Sequence, residues 1–395
     1  MIHRPIFFLT LLFMGILISY WPRFNARAYQ ITKILLCCCI FTLYYLGTRN
    51  TNDLNVYQNF LDSISTFGVD KVLETTPYEP LSTISLWLFR NFDDGAFVWH
   101  GTIVVFFLLC IIHFIETGVG KSIYIPAISF AAVLPAFFGE FVLNQSRQLM
   151  AASFLILCSS FLLSYSKNII NNSDQVNWKN ALFAFIFSTF AFLCHYSSLA
   201  ISILIFLVVM VILLASSLYD NSSLNKKILG TLLLISLFIG SLYLNYVIST
   251  FNFLDASISR YLSYQNALGT YTFVVESKNA IFIQLLFCID FIILIINNRS
   301  YSKFYNTIKQ FSTNLSVILY FLGFLGYGLC YYSINSPGIQ EFGRRMIYYV
   351  FVIEILAFLV SITRIKKLSY ILFLTFPFIM YTTIMICSSD HLFVF

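Results

Sequence analysis

Charge is what this chain has least of. Only 10% of its 395 residues are Asp, Glu, Lys or Arg, against about 25% in soluble domains. Hydrophobic residues make up 59%, with 44 Phe and 25 Tyr, and the mean hydropathy is +0.83. That balance excludes an ordinary soluble domain. Also missing are a phosphate loop, a zinc signature and a convincing Gly-x-Ser-x-Gly elbow. Asp93-Asp94-Gly95 resembles a metal-binding fragment only superficially and is expected to end a surface helix. Neither an obligatory metal nor another cofactor is expected. The nine cysteines, Cys37-Cys38-Cys39 included, lie in or at the edges of apolar runs, which fits neither a disulfide framework nor a zinc motif. There is no internal repeat, low-complexity tract or soluble linker, so residues 1–395 read as a single integral membrane domain.

What is present is a series of apolar runs of about 15 to 22 residues, close to the roughly 20 needed to cross a hydrocarbon core. About twelve spans are expected: 5–21, 31–46, 96–116, 123–143, 148–165, 180–195, 197–215, 228–250, 280–297, 314–333, 346–363 and 368–387. Backbone amides find no partner in lipid except within a helix or a closed barrel, and the alternation of barrel strands is lacking. The expected fold class is all-α, a polytopic transmembrane helical bundle.

The net charge of +6 raises nucleic acid as a partner, but its distribution points elsewhere. Basic residues alternate with the segment count. With the 22–33 loop placed inside, the inner side collects Arg23, Arg27, Lys33, Lys121, Lys167, Lys179, Lys226, Lys227, Arg299, Lys303, Lys309, Arg364, Lys366 and Lys367. Most acids fall outside. This is the positive-inside asymmetry, and the surplus charge reports orientation, with both termini outward. No nucleic-acid role is expected. The first 28 residues loosely imitate a signal peptide ending in Ala26-Arg27-Ala28, but Trp21-Pro22-Arg23 fits one poorly, so cleavage is not expected.

Two outer connections are long. Residues 47–95 form the first; within it Val56, Tyr57, Phe60, Leu61, Ile64 and Phe67 share a helical face, and Pro80 opens a second apolar stretch ending in Arg90. Both stretches are expected to be helices lying along the outer surface. Residues 251–279, with Asp255, Arg260 and Glu276, form the second.

Five basic residues depart from the inside preference: Arg49, Arg147, Arg260, Arg344 and Arg345 map to outer ends or loops. Guanidiniums converging at one depth repel unless an anion lies among them, and their planar fork suits phosphate. The competing reading is that each snorkels to the interface or pairs with Asp53, Glu140 or Glu341. His195, where two apolar runs meet with almost no loop, is a candidate proton carrier or phosphate donor; a satisfied turn residue is its competing reading. Asp53 and Tyr57, four apart, share a helix face, and Asp53 is either a proton acceptor, a partner for Arg49 or a sugar hydroxyl, or a helix cap. Asp290 and Glu354 lie inside apolar spans, where a carboxylate is costly. Either a relay or a structural hydrogen bond accounts for them.

These residues resemble a family. GTRNTNDLNVY at 47–57 resembles the Gly-x-Asp-x-x-x-Tyr signature, led by Arg, of EpsG-like polysaccharide polymerases. NQSRQLMAASFLILCSSFLL resembles that family's arginine at the head of a span, LCHYSSLAI its Phe-x-His-x-Ser-Ala element, and RRMIYYV its late arginine and aromatic segment. The chain departs in having Asn52-Asp53-Leu54 where many members place Asp-Tyr, and Leu-Cys before His195. The set is also similar to the Wzy polymerases of O-antigen, capsule and exopolysaccharide assembly, and implies a GT-C-like bundle. By this resemblance the substrate is an oligosaccharide repeat unit on undecaprenyl pyrophosphate, in the bacterial inner membrane, with the active site facing the periplasm. No nucleotide sugar is implied. His195 and Asp53 become candidate catalytic residues; Arg49, Arg147, Arg344 and Arg345 candidate pyrophosphate ligands; Tyr57, Arg260 and Glu341 candidate sugar contacts. Partners implied are membrane lipids, a chain-length regulator and a flippase. Two rivals stand beside this reading: a flippase-type transporter of the same lipid-linked sugar, which is expected to show midplane contacts and repeated halves, and an O-antigen ligase.

Overall fold

Apolar segments without water around them must pair their backbone amides internally, and helices do this within one segment. The computed structural model describes residues 52–68, 70–72, 79–120, 145–170, 177–219, 311–334 and 340–362, with scattered positions in 30–38 and 284–292. Among the described residues the regular elements are α-helices, with no strand. They are α1 (Asn52–Phe67), α2 (Pro80–Trp87), α3 (Gly95–Val119), α4 (Ser146–Ile170), α5 (Trp178–Cys194), α6 (Ser198–Tyr219), α7 (Phe311–Ile334) and α8 (Gln340–Ile362).

Helices α3 to α8 fall on six of the expected spans. Gly95–Val119 and Ser146–Ile169 are long and apolar enough to cross a membrane; Trp178–Cys194, Ser198–Met210 and Ile318–Ser333 are apolar but shorter. The spans expected at 5–21, 31–46, 123–143, 228–250, 280–297 and 368–387 lie wholly or largely outside the described residues, as does the 251–279 connection. The chain divides into two compact units, Met1–Met150 with Leu359–Phe395, and Ala151–Phe358.

In the first unit, α1 and α2 both pack on α3. The buried stripe of α1 is Leu54, Tyr57, Phe60, Leu61 and Ile64, the three- and four-residue spacing of one helix face. Val56 and Phe67, expected on that face, are instead exposed at 50% and 59%. Val56 precedes Tyr57 by a single residue, a rotation of about 100° that takes it off the seam. Gln58 fastens α1 to the head of α3 by accepting the Ala96 backbone N–H at 3.0 Å. Gly95 is required there, because a Cβ would meet the Phe89 carbonyl oxygen and Leu61. Asp93-Asp94-Gly95 is thus the tight turn between α2 and α3, as the sequence led us to expect.

In the second unit, α4 and α5 are joined by aromatic stacking: Phe161 meets Phe187 at 5.5 Å and Phe183 at 5.2 Å, and Phe154 meets Phe190 at 5.5 Å between ring centroids. Helices α7 and α8 approach through glycines, as apolar-phase helix pairs commonly do. A Cβ on Gly326 would lie 2.8 Å from Val350 Cγ2, and one on Gly323 would overlap the side chain of Glu354. That carboxyl is fully buried; its Oε2 accepts from Gln284 Nε2 at 2.7 Å. Asp290, also buried, accepts from the Tyr320 hydroxyl. Both intramembrane acids are therefore hydrogen-bonded, the arrangement that makes such groups tolerable in an apolar interior.

Candidate functional site

The first unit presents a guanidinium in a polar cradle. Arg147 is the second residue of α4 and donates through Nη1 to Glu79 Oε2 and through Nε to the Tyr57 hydroxyl at 3.1 Å. Glu79 stands at the N-cap of α2, just before Pro80, which is suited to a first helical position because its missing N–H would have no partner there. Its carbonyl accepts Ser82 Oγ at 2.8 Å, Thr83 Oγ1 at 3.1 Å and, as the first intrahelical bond, the Thr83 N–H at 3.1 Å. Its side chain makes no cap hydrogen bond and turns to Arg147 instead. Tyr57 is held edge-on by Trp99, with ring centroids 5.3 Å apart, and Trp99 Nε1 donates to Ser85 Oγ on α2 at 3.0 Å. The start of α4 is pinned as well, Ser146 Oγ lying 2.7 Å from His100 Nδ1 on α3.

The second unit pairs a guanidinium with an imidazole. His195 closes α5, and a turn over Tyr196 and Ser197 leads into α6. The turn is tight because the His195 N–H returns to the Ala191 carbonyl and its own carbonyl accepts the Ser198 N–H, both at 3.0 Å. The ring is 2% exposed. Ser197 Oγ lies 2.6 Å from Nδ1, and Arg345 Nη1, in the second turn of α8, lies 3.3 Å from Nε2. A guanidinium can only donate, so Nε2 accepts and Nδ1 carries the hydrogen toward Ser197. The ring is then neutral, with its basic nitrogen facing a permanent cation.

Of the residues singled out from sequence, the structure brings together Tyr57 with Arg147, and His195 with Arg345. Asp53 lies in the first turn of α1, one helical turn before Tyr57, while Glu341 and Arg344 lie in the first turns of α8; their side chains are outside the described residues, as are Arg49 and Arg260 entirely. Glu140 lies outside the described residues, like the side chains of Asp53 and Glu341; among the described residues, Glu79 pairs with Arg147. The available signal was its position: an acid directly before a helix-opening proline in the long outer connection, where Ser82 and Thr83 already supply hydroxyls.

Apolar helices, with no strand among the described residues and with part-buried arginines near helix ends, fit a membrane protein. More particularly, the chain belongs to the EpsG family, whose sequence profile matches residues 32–394. The family points to a polysaccharide-polymerase type of function. No curated protein and no solved structure gives a match.

Proposed function

We propose that the protein is a glycosyltransferase that polymerises polysaccharide. It moves a growing glycan from undecaprenyl pyrophosphate to the nonreducing end of an incoming lipid-linked repeat unit, at the periplasmic face of the bacterial inner membrane. For the whole chain we propose a GT-C-like bundle of about twelve spans. Besides the family, the observation that carries this reading is the imidazole of His195 set 3.3 Å from the guanidinium of Arg345, 150 positions away in sequence. In this reading His195 is the base and Arg345 an anion ligand.

The reaction needs both. An acceptor hydroxyl attacks the anomeric carbon, the carbon–oxygen bond to the diphosphate breaks with its electron pair leaving on the diphosphate, and the hydroxyl proton must go to a base. One lone pair on Nε2 cannot serve Arg345 and the incoming proton together. A diphosphate that draws the guanidinium onto its own oxygens therefore releases His195 to act, coupling base activation to donor binding. At an effective dielectric near 20, opposite unit charges about 4 Å apart attract by roughly 4 kcal/mol, and loss of one oxyanion-type donor costs about a hundredfold to a thousandfold in rate. In this proposal Arg49, Arg147, Arg344 and Arg345 hold the diphosphate, His195 is the base with Asp53 as the alternative, and Tyr57, Arg260 and Glu341 face the sugar.

Purified protein incubated with lipid-linked repeat units in detergent tests the reading. A ladder of longer glycans is expected. Transfer to a different acceptor identifies a ligase instead, and movement across vesicles without a glycan product identifies a transporter.

A further inference from the structure

Glu79 is a residue that the proposed chemistry does not use and whose side chain does not cap its own helix. Its carboxylate is almost fully buried, makes no cap hydrogen bond at the start of α2, and is committed to Arg147 instead. Buried carboxylates are costly to keep without a compensating partner. An acid placed opposite a guanidinium that is to bind an anion also competes directly with that anion.

We infer that Glu79 is a positioning residue that sets the anion affinity of Arg147. It holds the guanidinium by Nη1 while Tyr57 holds Nε, and it lowers the site's affinity for a diphosphate so that the leaving group is released after transfer. The idea rests on Arg147 being a diphosphate ligand, as proposed above. A site with an uncompensated arginine would retain its product. With Glu79 beside it, the guanidinium has a resting partner to return to, and Tyr57, held edge-on by Trp99, accepts its Nε–H.

The test is direct binding of inorganic pyrophosphate to the purified full-length protein, together with inhibition of chain extension by the same ion. Glu79→Gln keeps a hydrogen-bonding side chain of the same length and removes the charge. It should tighten pyrophosphate binding on the order of tenfold, the weight of one charge-assisted hydrogen bond no longer contested, while lowering kcat. Glu79→Asp keeps the charge but withdraws it by one methylene, and should shift binding in the same direction by less. This second variant carries the test if Glu79→Gln does not accumulate. Unchanged or weaker pyrophosphate binding in the variants would overturn the inference, since a purely structural role lowers stability without tightening anion binding. Arg147→Gln separates the two levels. If it binds pyrophosphate as wild type does, the assignment of Arg147 fails; if it loses binding while Glu79→Gln binds as wild type, the role of Glu79 alone fails.

Discussion

Replacing Arg147 with Ala perturbs more than a ligand for substrate. The side chain of Glu79, 4% exposed, loses its cation, and Tyr57 loses the Nε–H donor at 3.1 Å. Removing one partner of a buried ion pair costs about 3–5 kcal/mol, because the remaining charge stays buried and uncompensated. The guanidinium keeps 21% exposure, so water already shares part of the interaction, and a loss of about 3 kcal/mol is expected at the lower end of that range. Exchanging both groups for amides, Glu79→Gln with Arg147→Gln, removes both charges, so that no ion stays buried without its partner, while the shorter amide at position 147 reaches only the place of Nε beside the Tyr57 hydroxyl. The double variant should therefore be more stable than Arg147→Ala, recovering the part of the loss that comes from the unpaired buried charge, although it too lacks the cation and should not extend chains. The buried thiols of Cys110, Cys158 and Cys330 provide the assay, since a thiol-reactive dye labels them only as the purified protein unfolds in detergent, above the native labelling of the exposed Cys38 and Cys288. An Arg147→Ala protein that unfolds at the wild-type midpoint, or a double variant as unstable as the single one, would refute the reasoning.

Two further outcomes follow from the described contacts. His195→Ala should slow chain extension by about a hundredfold or more, the usual weight of a general base, and should cost more than Tyr57→Phe; steady-state rates of glycan elongation check the order, and the reverse order removes His195 from that role. Gly323→Ala places a methyl group where the Glu354 side chain lies, an overpacking expected to cost about 1–3 kcal/mol, and shortening the acid in Glu354→Asp should recover part of it in the same thiol-labelling assay.

Much of this was legible in the residues. Arg147, Arg345 and His195 stood out because cations on the outer side are unexplained by orientation, and because an imidazole between two apolar runs has nowhere to go but a turn. The polar-to-apolar switch at Pro80 located α2, and the spacing of Leu61 and Ile64 from Tyr57 located the seam of α1. Val56 and Phe67 were assigned to that seam because apolar pattern alone does not say where a stripe ends. Glu79 was not legible as a partner, since acids are commonplace on the outer side and its pairing spans 68 positions. Only the fold reveals that its side chain leaves its own helix uncapped and turns to Arg147. Likewise, Glu354 could be recognised as a costly group in an apolar span, but not that Gly323 and Gln284 make room and a donor for it.

The central claim is that fixed guanidiniums neutralise the diphosphate leaving group. Its most direct test is the elongation of undecaprenyl-pyrophosphate-linked repeat units by purified Arg345→Ala protein, normalised to folded protein. The wild-type ladder should disappear, and Arg345→Lys, a point charge without the planar fork, should restore only a fraction of it. A wild-type ladder from Arg345→Ala would contradict the claim.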